Sequence, residues 1–197
     1  MVSYQILDSS SYITTDWAGG RTQQLYLSPA DGDYSKREFD FRISTATVEL
    51  ESSCFSPLPC IKRLLLTLDQ TLHLTNKTIG QEVRLAPFQV YAFDGSDQIE
   101  SCGQCQDFNV MWREPYQGDL RPLAPGEILR ETDQIQFVYA LTDQEIRINQ
   151  HVLFLKAHQF LKLVRESPEE EITVRLSSGQ SKQAVLAIWI GLSSNGQ

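Results

Sequence analysis

The sequence predicts an all-β chain, a sandwich or barrel rather than an α/β fold. Three observations carry that reading. Short runs rich in β-branched and aromatic residues dominate, many of them alternating apolar with polar side chains. They recur at a spacing of about 8–14 residues, the rhythm of a sandwich or barrel. Between them stand Gly, Pro and small polar residues that break any regular element.

Taken in order, the runs are RTQQLYLS, REFDFRISTATVEL, KRLLLTLDQTLHLTN, EVRLAPFQVYAFD, QDFNVMWRE, IQFVYALTD, EIRINQHVLFLKA, EITVRLSS and QAVLAIWIGL. Their punctuation is SPADGDYS, SPLPC, DGSD, CGQC and SSGQS. The nearest helical spacing is in HQFLKLVRESPEEE, through Phe160, Leu161 and Val164, and Pro168 would end it. YQGDLRPLAPGEILRE carries Gly118, Pro122, Pro125 and Gly126 and reads as a linker. The expected organisation is therefore a barrel over 1–115, a linker over 116–131 and a smaller β-module over 132–197. No residue-level repeat relates the two halves.

With 197 residues, 41% of them hydrophobic, the chain can bury a sizeable core. Its 17 basic and 25 acidic residues leave a net charge of −8, which disfavours nucleic acid as a partner. A local basic pocket is still compatible with that balance. The N-terminal MVSYQILDSSSYITTDW has neither a basic n-region nor a continuous apolar run, so no signal peptide is expected. No run of about 18 apolar residues occurs, so no membrane partner is expected either. The expected location is the cytoplasm.

Four cysteines and three histidines are the candidates for metal or redox chemistry. Cys102 and Cys105 have the C-x-x-C spacing of a redox dithiol or half a zinc site. The motif runs into the strand-like DFNVMW rather than a helix, and Gly103-Gln104 reads as a hairpin tip. Cys54 and Cys60, with five residues between them, are awkward partners for a zinc site. Plain hairpin thiols are the simplest reading, with zinc and redox roles as alternatives. His73, His151 and His158 are far apart and form no HxH, HxxxH or HExxH motif. No metal or other cofactor is expected. No GxSxG marks a nucleophile, and Glu169, Glu170 and Glu171 read as a solvated turn.

Three stretches are unusual for structural strands. Asp16 to Thr22, DWAGGRT, sets a tryptophan before two glycines, which permit a tight turn or a close backbone approach. In FDFRISTATV, Phe39, Phe41 and Ile43 fall on one strand face, with Asp40, Arg42, Ser44 and Ala46 on the other. In QDFNVMWRE, Phe108, Val110 and Trp112 oppose Asp107, Asn109, Met111 and Arg113. A solvated outer face would explain any one polar row. Met and Ala suit water poorly, however, and the mixture fits the wall of a polar cavity. Arg113, at the strand end, is the member expected in water.

Together these stretches resemble the HutD/Ves family of cupin-like proteins. The family's W-x-N-G-G-G-x-T is echoed by Trp17 to Thr22, and its F-x-W-R-I-S-x-A-x-V by Phe39 to Val48. F-S-x-F-P-G-x-x-R is echoed by Phe55 to Arg63, and P-x-x-F-x-G-D loosely by Pro87 to Gly95. D-F-N-V-M-x-R is matched fully by Asp107 to Arg113. Several glycines are lost: the first segment is shortened, Ser52-Ser53-Cys54 replaces a glycine position, and Cys60 stands where P-G has glycine. Lys62 replaces an expected Asp, and the G-D pair appears as Asp94-Gly95.

The resemblance implies a cupin-type double-stranded β-helix or jelly roll, a bicupin of two packed β-barrels. It also implies a link to histidine utilisation, as a sensor or limiter of a pathway intermediate. The expected ligand is a small anionic metabolite held without metal. The residues expected to hold it are Trp17, Thr22, Arg42, Ser44, Arg63, Asp107, Asn109 and Met111. In that scheme Arg42 and Arg63 take a carboxylate, Ser44 and Asn109 orient it, and Trp17 covers its apolar part. The alternatives are a metal-independent isomerase or lyase with Asp107 as general base, and a structural or protein-interaction module. A homodimer stays open.

Overall fold

The computed structural model describes residues 2–177 and 183–194. The expected punctuation SSGQS runs into 178–181, which lie outside the described residues. Among the described residues every regular element is a strand, as the alternating runs predict. Among those residues no helix is long and apolar enough to cross a membrane.

The first strand, β1 (Val2–Leu7), is followed by ten that build one compact unit, Tyr12–Gln117. These are β2 (Ile13–Trp17), β3 (Gly20–Ser28), β4 (Phe41–Val48), β5 (Ser52–Cys54), β6 (Lys62–Thr67), β7 (Leu72–Asn76), β8 (Gln81–Leu85), β9 (Tyr91–Asp94), β10 (Ile99–Cys102) and β11 (Cys105–Trp112). The later strands are β12 (Tyr116–Leu123), β13 (Ile128–Glu131), β14 (Ile135–Ala140), β15 (Gln144–Ile148), β16 (His151–Leu155), β17 (Phe160–Arg165), β18 (Ile172–Leu176) and β19 (Ala187–Ser194). With β1 they form the second unit, Met1–Ser11 plus Gly118–Gln197.

Each unit has two antiparallel-built sheets. In the Tyr12–Gln117 unit the orders are β2-β3-β4-β11-β6-β9 and β5-β10-β7-β8. Leu65, Val48 and Cys105 of the larger sheet cluster with Leu72, Leu74, Leu85 and Ile99 from the smaller sheet and its strand ends. In the second unit the orders are β1-β17-β14-β19-β12 and β13-β18-β15-β16. Its core joins Val138, Leu161 and Trp189 of one sheet to Ile146, Leu155 and Val174 of the other. Burying each such side chain contributes about 1.5–3 kcal/mol.

Four local readings change. The stretch read as a linker is largely strand, β12 and β13. β12 lies at a sheet edge, so Pro122 can sit in it without removing a needed ladder bond. The boundary also shifts at the front, because β1 pairs with β17 from Val2 opposite Arg165 to Leu7 opposite Phe160. The residues with helical spacing form β17, where Phe160, Leu161 and Leu163 are all buried. Finally, Cys102-Gly103-Gln104-Cys105 is no hairpin tip. It carries the chain from β10 in the smaller sheet to β11 in the larger, with Gly103 at φ +124°.

Candidate functional site

The larger sheet of the Tyr12–Gln117 unit aligns the polar rows of β4, β11 and β6. Met111 lies opposite Arg42 on one side and Arg63 on the other. One step along, Asn109 lies between Ser44 and Leu65, and the next row is Ala46, Asp107 and Thr67. Paired residues share a face, so these nine side chains form a grid. β3 extends it with Thr22 opposite Ala46 and Gln24 opposite Ser44. β2 adds Thr15 and Trp17.

This face walls a cavity of about 370 Å³. All eight residues expected from the sequence line it: Trp17 and Thr22, Arg42 and Ser44, Arg63, and Asp107, Asn109 and Met111. Trp17 is 41% exposed, whereas Arg42, Arg63, Asp107 and Asn109 are each 6–7% exposed. The polar row of β11 is therefore not a wet face. The opposite row is also buried, through Phe108 and Val110. Arg113 departs from expectation too: it is half-buried, 5.4 Å from the Phe39 ring centroid, and donates to the Arg37 carbonyl.

The arginines are held by neighbours that leave their charge uncancelled. Arg42 donates from Nε to Gln24 Oε1 at 2.8 Å and from Nη1 to Ser44 Oγ at 3.2 Å. Its guanidinium sits 4.0 Å from the Tyr34 ring centroid. Arg63 lies 4.8 Å from the Phe93 ring and 5.0 Å from that of Phe55, stacking contacts that fix its plane. Burial pushes the Arg63 pKa down to about 10, which leaves it cationic at neutral pH, and moves that of Arg42 downward as well.

Asp107 is the acid of this wall. Burial drives its carboxyl up to about 7, against the opposing pull of Arg63, an Ala46 backbone N–H and Arg42. Among the described residues no ion pair joins it to either arginine. Three buried polar atoms here have no hydrogen-bond partner: Arg63 Nε, Asn109 Oδ1 and Thr67 Oγ1. Such atoms cost free energy unless something pairs with them.

Several contributors are not expected from the sequence. Tyr34 lies in the loop SPADGDYS, where strand alternation carries no information. Gln24 sits at a register shift in β3 between Gln24 and Tyr26. Phe55 opens the F-S segment, and nothing in that pattern marks it for the cavity. The cysteines do not assemble: Cys54, Cys60 and Cys102 are exposed and Cys105 is buried, all as free thiols. Burial lifts the Cys105 thiol to about 12, which suits a packed side chain rather than a redox nucleophile. Among the described residues no group of three or more His, Cys, Asp or Glu could hold a metal ion.

The family model HutD matches residues 9–184. The chain is similar to the solved structure of PA5104, a conserved protein of unknown function from Pseudomonas aeruginosa PAO1. The TM-score is 0.81 at 23% identity, covering 98% of this chain and all of that one. HutD from Pseudomonas fluorescens SBW25 gives a TM-score of 0.77 at 20% identity, with 98% and 100% covered. Bacillus subtilis oxalate decarboxylase gives 0.62 at 6% identity, covering 98% of this chain and 78% of that one. At such identities the likeness shows the fold, which is of the cupin type. No curated protein matches. With the family pattern spanning 9–184, the chain belongs to the HutD family.

Proposed function

We propose that the Tyr12–Gln117 unit binds a small, carboxylate-bearing metabolite in this cavity, without metal. The role is sensing or regulation in the cytoplasm; its link to histidine utilisation is supported by the name of the family and of the Pseudomonas fluorescens structure. One observation carries the binding reading: two buried arginines face one cavity, and among the described residues no acid forms an ion pair with either. A buried cation is costly until an anion meets it, and guanidinium geometry favours a carboxylate. Asn109 Oδ1, with no partner, accepts a donor elsewhere on the ligand. Trp17 and Phe55 cover the apolar part.

The test is a thermal-shift and calorimetric screen of histidine-pathway intermediates and other small carboxylates, each beside its uncharged amide. A ligand of the native state raises its melting temperature. The expected result is selection for the acids, with Arg42→Ala and Arg63→Ala each weakening binding at least about tenfold. If a wild-type binder holds equally well to the double variant, the site is elsewhere.

A second reading has its own observation. A carboxyl near 7 inside a cavity matches a general base for a metal-independent isomerase or lyase. Incubating each binder with the protein and following it by NMR separates the two. Turnover lost in Asp107→Asn favours the enzyme, whereas unchanged ligand favours the binder.

A further inference from the structure

We propose that the outer face of the sheet β13-β18-β15-β16 docks an acidic polypeptide segment whose apolar side chains flank its carboxylates. The register sets one transverse row across all four strands. Ile128 lies opposite Arg175, Arg175 opposite Arg147, and Arg147 opposite Val152. The row reads apolar, arginine, arginine, apolar, and all four side chains are exposed. Phe154, 60% exposed, and Arg130 extend the same face.

Two features make this row more than a solvated surface. Like charges directly opposite on neighbouring strands repel, and the geometry gives Arg147 and Arg175 no relief. Among the described residues neither these two nor Arg130 has a side-chain hydrogen bond or ion pair. Arg147 and Arg175 edge a recess of about 180 Å³ with Glu145 and Ser177. Charge is the second feature. In a chain of net −8, the paired strand positions of this face carry three arginines, Arg130, Arg147 and Arg175, against one acid, Glu145. It is therefore complementary to an acidic partner. Ile128 at 48% and Val152 at 49% exposure close the row at both ends. Those flanks favour a polypeptide over a nucleic acid, whose phosphates the remaining net charge repels.

The experiment uses the full chain and a short fluorescein-labelled peptide alternating Glu with Val and Phe, with a Lys-for-Glu peptide as control. Fluorescence anisotropy is expected to show binding of the acidic peptide alone, weakening as salt rises. Arg147→Glu and Arg175→Glu each lower its affinity at least about tenfold, and Val152→Ser lowers it too. Circular dichroism melting reports that these variants fold, and carboxylate binding in the other unit's cavity stays unchanged. Absence of peptide binding by the wild type, or equal binding by the charge-reversed variants, overturns the proposal. So does a preference for a labelled oligonucleotide. A wild-type dimer that these substitutions disperse would assign the face to a second copy and overturn it as well.

Discussion

Asp107 and the two arginines set the charge of the cavity, and Asp107 is the member that changes it within the physiological range. Its carboxyl ordinarily titrates near 3.8 and is raised by burial to about 7 in the folded chain. Below the lower value it is protonated folded or unfolded. Between the two, only the folded chain keeps the proton, so stability falls as pH rises and levels off above about 7. Three pH units at about 1.4 kcal/mol each amount to about 4 kcal/mol. Asp107→Asn keeps an acceptor for the Ala46 N–H without the buried charge. Urea denaturation should therefore show the variant more stable than wild type by a few kcal/mol at about pH 8, with a smaller gap at about pH 5. Binding follows the same sign: an anion beside Arg42 and Arg63 is repelled once Asp107 ionises. Calorimetry across pH should show affinity falling through about 7 in the wild type and a flatter profile in Asp107→Asn. Arg42, Ser44, Asp107, Asn109 and Met111 were legible because strand alternation assigns a face residue by residue, whereas Trp17, Thr22 and Arg63 were legible only through the family resemblance. Tyr34 was not, because a loop side chain that stacks on Arg42 leaves no periodic trace.

At the scale of elements, β11 shows what alternation alone leaves undecided. An alternating strand usually has one dry face and one wet face. Here both are buried, the apolar row through Phe108 and Val110 and the polar row against a cavity. Only the companion residues in β4 and β6 resolve that, because they supply a matching polar row in register. Phe108→Ala is expected to cost about 3–5 kcal/mol in thermal or chemical denaturation, as a cavity left in a fully buried site. The turn joining β2 to β3 depends on Gly20. Its φ is +147°, and a Cβ there would lie 1.8 Å from the Thr47 carbonyl oxygen across the strand pair. Gly20→Ala should lower the melting temperature and weaken binding together, because β3 must shift to accommodate it. Where the sequence misleads among elements, the deciding information is not local. The partner of β1 lies some 160 residues away in β17, and Pro122 reads as a strand residue only once β12 is known to be an edge.

For the molecule as a whole, each unit resolves its interior differently. In the second unit Trp189 fills the space and donates from its indole N–H to Gln136 Oε1 at 3.0 Å, with both residues fully buried. Gln136→Leu should strand that donor and cost about 1–3 kcal/mol in urea denaturation, without touching carboxylate affinity in the other unit. In the Tyr12–Gln117 unit the corresponding economy of space is absent, and a cavity with an exposed tryptophan remains. That tryptophan is placed by a missing side chain: a Cβ on Gly19 would fall 2.1 Å from the Trp17 ring. The chain's other tryptophans are Trp189, buried, and Trp112, half-buried. A molecule entering the cavity would remove Trp17 from water more than either of them. Intrinsic fluorescence should therefore shift to the blue as the cavity fills, and the shift should vanish in Trp17→Phe. The protein carries its own optical gauge of occupancy, one that needs no dye and reads any ligand alike.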